Sequence, residues 1–405
     1  MPNAWPRLLL CAALCALSAA GCVGALADET HAAPLCEARE LTAQCEFSAE
    51  GRHDPLRRLT DGDYRRPFEA PQGALIIRAP EGETIGALYL CFADMPAEWS
   101  LEEWTDGAWR AFAKGETDFA HVVSVVLDRQ TVRVAALGEA LRLNEARVFA
   151  SGTLPPDVQR WEPPPEKVDL MLLVAHPDDE FLFFGGLIPW YVSQGRHVLV
   201  VYMTCRDSTR RAELLNGLWT AGVREYPLIG GFRDRSTRTL ERMYDAWTRQ
   251  EVDGFLIKLI RHYRPDVLVT HDVSGEYGHG AHRVCADAAL RVFDKTADPM
   301  YMPQHSKAFG VWQVKKLYLH LYAQNQLSMD WTRAVGEETA QSLAQAGFQM
   351  HVSQQHFHMQ VKKDARYDSS LFGLAKSTVG QDVRKDDFLS ISNNQPHARA
   401  VLQAN

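Results

Sequence analysis

The sequence predicts an α/β fold, a Rossmann-like and mostly parallel sheet with helices on both faces, preceded by an all-β sandwich of jelly-roll type. Three observations predict it. From about residue 55 to 150, short runs of branched and aromatic residues alternate with turn residues, as in an antiparallel sandwich. From residue 168 onward, continuous apolar runs alternate with helix-length segments, as in βα units. Between the two, "SGTLPPDVQRWEPPPEKVD" carries five prolines, too many for a helix or a central strand. With 405 residues, 46% of them hydrophobic, the chain can supply cores for two or three domains.

The first segment, residues 1–27, has Arg7, then an apolar stretch, then small residues, the layout of a secretory signal. Cleavage after Ala27 would start the mature chain at Asp28. Cys22 after "SAAG" offers a second reading, a lipid anchor, although Ala19 stands where a leucine is usual. The expectation is a secreted or cell-surface protein, with membrane attachment only if Cys22 is lipidated or the signal stays uncleaved. Nothing later in the sequence is long and apolar enough to span a bilayer. Three of the eight cysteines fall in the signal, and export permits a Cys36–Cys45 disulfide among the rest.

Residues 28–150 form the expected sandwich, with strands at "ALIIRAP", "IGALYLCFA", "AHVVSVVLD", "TVRVAAL" and "ALRLNEARVFA". Residues 151–167 read as a stiff Pro-rich linker. In 168–390, "VDLMLLVA", "HVLVVYMT", "DVLVTH" and "KKLYLHLYA" are strands, while "FLFFGGLIPWYVSQG", "STRRAELLNGLWTAG" and "AHRVCADAALRVFDK" are helices. The stretch after Gly380 is polar, with 391–405 a tail.

Chemistry concentrates in two places. "LLVAHPDDEF" turns from a buried strand directly into His176, Pro177, Asp178, Asp179 and Glu180. In such folds functional groups gather at the carboxyl ends of strands. An imidazole and a carboxylate three residues apart can converge on a cation that offsets the repulsion among the acids; the plainer reading is helix capping, and Glu180 is expected in the helix's first turn, where an acid favours the dipole. "HDVSGEYGHGAHR" follows a second apolar strand and places His279 and His282 on one face of a helix start. His176, Asp179 and His282 then make a His₂Asp set with an open position, as in catalytic zinc sites.

"AHPDDE" (175–180) together with "YGHGAH" (277–282) resembles the LmbE-like, or PIG-L-like, family of zinc-dependent N-acetylglucosaminyl deacetylases, over roughly residues 168–390. The resemblance implies one zinc ion per chain held by His176, Asp179 and His282. It implies Asp178 as general base, His279 as the residue that stabilises charge or protonates the leaving amine, and Tyr277 as polariser of the acetyl carbonyl. "GFRDRS" and "RRAEL" resemble family segments lining the sugar site, which gives Asp234, Arg210 and Glu213 as substrate residues. One departure stands out: many relatives read "HPDH", whereas Ala281 here replaces an acid that could support a ligand histidine, leaving Asp272 or Glu276 as substitutes. "RLTDGDYRRP" (58–67) and the strands after it resemble discoidin-like, galactose-binding-like sandwiches.

The expected function is therefore removal of the acetyl group from N-acetylglucosamine-type sugars of extracellular glycans or glycoconjugates, by a metal-dependent amide hydrolase. The alternative is a non-catalytic carbohydrate-binding or adhesion protein that keeps the fold. A net charge of −8 without basic runs argues against nucleic acid as partner. A nucleotide-binding reading lacks G-x-G-x-x-G after the first strand. "HVSQQHFH" (351–358) matches no metal geometry; His351, Ser353 and Gln354 could instead approach the active site.

Overall fold

The computed structural model describes residues 36–50, 55–354, 360–361 and 366–390. The expected signal at 1–27, His356, His358 and the expected tail at 391–405 lie outside the described residues. Glu37–Asn405 form one compact unit, so the β-rich and α/β parts belong to a single body.

In the β-rich part the strands are β1 (Glu46–Ser48), β2 (Phe68–Ala70), β3 (Ala74–Arg78), β4 (Ile85–Asp94), β5 (Trp99–Thr105), β6 (Ala108–Lys114), β7 (His121–Arg129), β8 (Thr131–Ala136) and β9 (Leu141–Phe149), with one helical turn, α1 (Pro55–Leu59). They form two antiparallel sheets, ordered β1-β3-β8-β5-β6 and β2-β9-β4-β7. Both sheets feed one core: Leu75, Leu101 and Val134 from the first, Leu88, Leu143 and Val148 from the second. Alternating side chains put every second residue of β3 inside, which is the period-two pattern of its sequence. β5 and β6 were not among the expected strands. They meet at Asp106–Gly107, both at positive φ (54° and 77°), the two-residue turn that suits strand twist.

β4 is buried on both faces, all but its last residue. One face enters the core just described; on the other, Ala87, Tyr89 and Cys91 meet Phe149 and Val158. Val158 belongs to the Pro-rich segment, which is thus no free spacer. Gln159 and Trp161 of the same segment are also buried, and Trp161 packs against Trp219 and Tyr226. Its prolines fix an extended path, but the apolar residues between them pin that path to both parts, Val158 to the β-rich one and Trp161 to the α/β one. Cys36 is exposed, Cys45 is buried, and both are free thiols, so the permitted disulfide is absent.

The α/β part contains β10 (Leu170–Val174), α2 (Asp179–Leu182), α3 (Leu187–Ser193), β11 (Val198–Tyr202), α4 (Ser208–Thr220), β12 (Leu228–Ile229), α5 (Leu240–Tyr244), α6 (Arg249–Tyr263), β13 (Val267–Thr270), α7 (Gly280–Val292), α8 (Pro303–Phe309), β14 (Lys316–His320), β15 (Gln326–Ser328), the small hairpin β16–β17 (Ala334–Val335, Glu338–Thr339), α9 (Ala340–Phe348) and β18 (Leu371–Ser377). The sheet order is β12-β11-β10-β13-β14-β18-β15. The first five strands are parallel, and β18 pairs antiparallel with β14 and β15. Continuous apolar sequence makes β10 buried on both sides: Leu170, Leu172 and Val174 face one core, Met171 and Leu173 the other.

Two expectations change here. The segment 181–195 is not one helix; it breaks between α2 and α3 at Gly185 (φ 52°), where a Cβ would come within 2.6 Å of the Trp331 indole. The stretch after Gly380 is anchored as far as Ser390: Lys316 and Tyr318 both bind Asp382, and buried Phe388 donates its N–H to Tyr191 Oη at 2.8 Å.

Successive strands run outward from β10 to β11 and β12, then return to its other side at β13. A crevice opens at such a reversal, outside the carboxyl ends of the two central strands. β10 and β13 are paired level, Leu173 opposite Thr270, so the residues leaving both strands meet.

Candidate active site

His176, Asp178 and Asp179 leave β10 on a turn, and Asp178 sits at φ 106°, ψ −30°, a sparsely populated conformation for a residue with a Cβ. The tight turn brings the Asp179 carboxylate back over the strand end. Its Oδ2 accepts from the His176 backbone N–H at 2.8 Å and lies 3.2 Å from His176 Nδ1. From the β13 side, His282 Nε2 stands 3.4 Å and His271 Nε2 3.5 Å from the same oxygen. His279, at the start of α7, stacks edge-on to His176 with ring centroids 4.7 Å apart. The three sequence-expected metal residues therefore converge, and His176, His279 and His282 also lie within reach of one cation.

Glu276 organises the back of this cluster. It is fully buried, and its Oε2 lies 2.8 Å from His271 Nδ1 and 2.9 Å from His282 Nδ1, while Oε1 lies 2.6 Å from His320 Nδ1. Against the cost of burial, these histidines hold its carboxyl well below the usual range. Of the two acids that could replace the one missing at Ala281, Glu276 is the residue in place, whereas Asp272 accepts from the Ser274 N–H at 3.2 Å. His271 and His320 were not expected. Each stands where an apolar strand ends, in "VLVTH" and "LYLH", and that placement is the signal that could have found them.

Hydrogen-bond partners assign the tautomers. His282, kept toward its neutral form by burial, donates Nδ1–H to Glu276 and so turns a bare Nε2 lone pair toward Asp179. His271 is buried too, yet the adjoining carboxylates push it toward protonation. The Ala175 amide points at its Nε2 (3.1 Å), which accepts only when unprotonated, so we assign it as neutral. The His282 lone pair thus faces a carboxylate oxygen with no proton between them, whereas that of His271 is taken by the Ala175 N–H. A divalent cation resolves that repulsion, and an imidazole–carboxylate set suits zinc. The residues present fit the metal.

Burial, and then the Asp179 charge, push the Asp178 carboxyl up to about 7, with Arg210 opposing in part. The Arg210 guanidinium is 3.5 Å from Asp178 Oδ2 and donates to the Pro177 carbonyl. Burial, and then His176 and His282, lower His279 to about 3. Its Nδ1 accepts from the Ala281 N–H (3.3 Å), which leaves Nε2–H as a donor. The crevice, about 460 Å³, is lined by His176, Asp178, Asp179, His279 and His282 together with Tyr277, Arg206, Arg210, Asp234, Ser353 and Gln354. Tyr277 packs on Phe183 and Tyr367, and burial raises its phenol to about 12. Asp234 Oδ1 is 3.7 Å from His176 Nε2.

Two residues sit differently from expectation. Glu213 does not line the crevice; it stands behind it, accepting from both the N–H and the Oγ–H of Ser353 at 2.7 Å. Glu180 is not a solvated first-turn acid. It is fully buried, accepts from the Asp178 N–H at 2.8 Å, and lies 3.0 Å from His351 Nε2. The segment 351–354 thus approaches the crevice through two buried carboxylates, and no metal group includes His351 among the described residues.

Residues 171–293 match the model of the family described as PIG-L, GlcNAc-PI de-N-acetylase. The chain is similar to 1D-myo-inositol 2-acetamido-2-deoxy-alpha-D-glucopyranoside deacetylase 1 of Catenulispora acidiphila, 31% identical over 178 residues, covering 37% of this chain and 54% of that protein. It is similar to the corresponding deacetylase of Streptomyces avermitilis, 30% identical over 178 residues, covering 37% of this chain and 60% of that protein. Among solved structures, N,N'-diacetylchitobiose deacetylase of Pyrococcus horikoshii is similar at 19% identity, covering 47% of this chain and 72% of that one, with a TM-score of 0.37. The chain thus spans a little over half the length of these two curated relatives.

Proposed function

We propose that the α/β part is an LmbE-like N-deacetylase domain that hydrolyses the acetamide of an N-acetylglucosamine-type substrate, with one zinc ion held by His176, Asp179 and His282. The carrying observation is the Asp179 carboxylate faced by the bare Nε2 lone pair of His282, an arrangement that calls for a cation. The match over 171–293 and the names of the deacetylase relatives support the substrate class. When bound, zinc supplies Lewis acidity toward the acetyl carbonyl and toward water.

The chain's own residues supply the rest. Asp178, raised toward neutrality by burial and held by Arg210, takes a proton from the attacking water as the new C–O bond forms. His279 Nε2–H and the Tyr277 phenol are donors on the crevice wall, suited to the oxygen that gains charge. The neutral state of His279 favours this role over that of acid, so the proton collected by Asp178 is passed to the nitrogen as the C–N bond breaks. Asp234, Arg206 and Arg210 offer charged partners for sugar hydroxyls. Acetate and a free amino sugar leave. The leader at 1–27 supports export, and with it a glycan or glycoconjugate met outside the cytoplasm.

The test is zinc content of the purified chain and acetate release from N-acetylglucosamine, its inositol conjugate and N,N'-diacetylchitobiose, before and after chelation and zinc return. Release that chelation abolishes and zinc restores supports the proposal. A zinc-loaded chain that frees no acetate from any N-acetylated sugar refutes it.

A further inference from the structure

The helix that carries Arg210 is gripped from its far side by the β-rich part. Arg211, the next residue, donates Nη2–H to the carbonyls of Phe92 (3.2 Å) and Ala93 (2.6 Å) near the end of β4. Thr209 Oγ1 donates to the Tyr64 carbonyl at 3.1 Å, and Asn216 Nδ2 to Tyr64 Oη at 3.1 Å. A buried chain of polar groups continues from there. Gln159 Nε2 donates to Asn216 Oδ1 (2.6 Å), and Gln159 Oε1 accepts from Trp161 Nε1 (3.0 Å) and lies 2.7 Å from His121 Nδ1 on β7.

On its near side the same helix meets the crevice. Arg210 holds the Pro177 carbonyl and the Asp178 carboxylate, and Glu213 holds Ser353. α4 begins at the Asp207 cap, whose side chain accepts from the Arg210 N–H at 3.0 Å, so a shift at Arg211 or Thr209 moves Arg210 with it. No α4 residue belongs to the His/Asp metal groups.

The geometry points to Arg211 and Tyr64 as positioning residues: through them the β-rich part fixes α4, and with it the Arg210 guanidinium against Asp178. The inference rests on the proposed deacetylase reading for its catalytic consequence, and on hydrogen bonding alone for the anchoring itself. A small displacement of a charged group beside a base is costly in rate even when binding residues are untouched.

The experiment uses the full zinc-loaded chain and compares Arg211→Met and Tyr64→Phe with Tyr226→Phe. Tyr226 Oη accepts from the Ala120 N–H at 3.1 Å, a contact between the two parts whose hydrogen bond is not made to α4. Arg211→Met and Tyr64→Phe should speed hydrogen exchange of the 208–220 amides and lower kcat about tenfold or more, at parental zinc content. Arg211→Lys, which keeps a cationic donor, should recover part of both. Tyr226→Phe should leave exchange of α4 and kcat as in the parent. Should Arg211→Met fail to fold, Tyr64→Phe carries the test. Parental exchange and kcat in both variants, or an equal loss in Tyr226→Phe, overturn the inference. If the parent releases no acetate from any sugar, the deacetylase reading fails, and exchange of 208–220 still decides whether α4 is anchored this way.

Discussion

In the β-rich part, leucine, valine, isoleucine and tryptophan fill the interior, and between residues 36 and 150 the described buried polar side chains are Thr42, His121 and Asn144. At the carboxyl ends of β10, β13 and β14 the interior is different in kind: Asp178, Asp179, Glu180, Glu213 and Glu276 are buried beside His176, His271, His282, His320 and His351. Burying a carboxylate costs several kcal/mol unless it is paired and hydrogen-bonded. An apolar filling would hold the same strands at lower cost, as the sandwich core does. The charged interior therefore marks where stability is traded for chemistry, and the β-rich part marks what the fold looks like without that demand.

The largest effects should come from breaking the charged interior at its centre. Asp179→Ala should lose both bound zinc and activity, since the variant removes the oxygen on which His176 and His282 converge. Asp178→Asn keeps the shape but cannot take a proton, so it should keep zinc and lose ~10²- to 10⁴-fold in kcat. Zinc analysis and turnover of the two variants separate ligand from base. Loss of zinc in Asp178→Asn, or parental turnover, would show that the two roles are wrongly divided.

Glu276 tests the same centre one step back. Glu276→Gln presents an amide N–H₂ either to His320 or to the His271–His282 pair, and the oxygen it keeps is a weaker acceptor than the carboxylate, so the hold on the His282 tautomer loosens. Zinc affinity should fall about 10- to 100-fold while the bound form still turns over. Competition with a chelator measures this, and unchanged affinity would assign the carboxylate a structural role only.

How much of this was legible in the sequence follows from distance along the chain. His176, Asp178 and Asp179 are within four residues, as are His279 and His282, so each motif carries its own geometry. The apolar runs of β10, β11, β13 and β14 declared a parallel sheet. What was not legible depends on strand order and packing. Only the level pairing of β10 with β13 brings His271 under Asp179, and only the neighbouring β14 brings His320 to Glu276. Glu180 reads as a first-turn acid because nothing local shows that a segment 171 residues later will cover it. The Pro-rich segment reads as a spacer because Val158 and Trp161 are isolated among prolines, and their burial comes from partners in β4 and α4.

His121 extends the comparison to a buried histidine of the β-rich part. Burial lowers its pKa from 6.5 to about 4, against the opposing hydrogen bond that it donates to Gln159 Oε1. The folded chain binds this proton less readily than the unfolded chain. Its contribution to stability is thus complete above pH 6.5 and is lost as pH falls toward 4. At about 1.4 kcal/mol per unit, the loss is at most on the order of 3 kcal/mol. Denaturation midpoints of the parent and His121→Asn between pH 7 and 4 check the sign: the variant should be less stable at pH 7 and show a flatter decline. An equally steep decline in the variant would place the titrating group elsewhere.

The smallest effects allow the same chemical change to be made in both regions. Glu180→Gln replaces one acceptor oxygen with an N–H₂ group in a site sealed from water, where one oxygen serves the Asp178 N–H and the other faces His351. To keep both contacts the amide must turn its N–H₂ to His351, whose proton then has to sit on the buried and unpartnered Nδ1, so the variant should lose about 1–3 kcal/mol of stability. That is more than a dipole contribution at a helix start would give, and the reason is burial. Glu69→Gln on β2 removes a charge 3.5 Å from Arg142, but both side chains are more than 40% exposed. Water and salt screen that pair, Arg142 keeps Asp94 as a partner, and the change should stay within about 0.5 kcal/mol. Chemical denaturation of the two variants in parallel measures the difference directly. If Glu69→Gln costs as much as Glu180→Gln, burial is not what sets the value of a carboxylate in this protein, and the contrast between its two interiors falls with it.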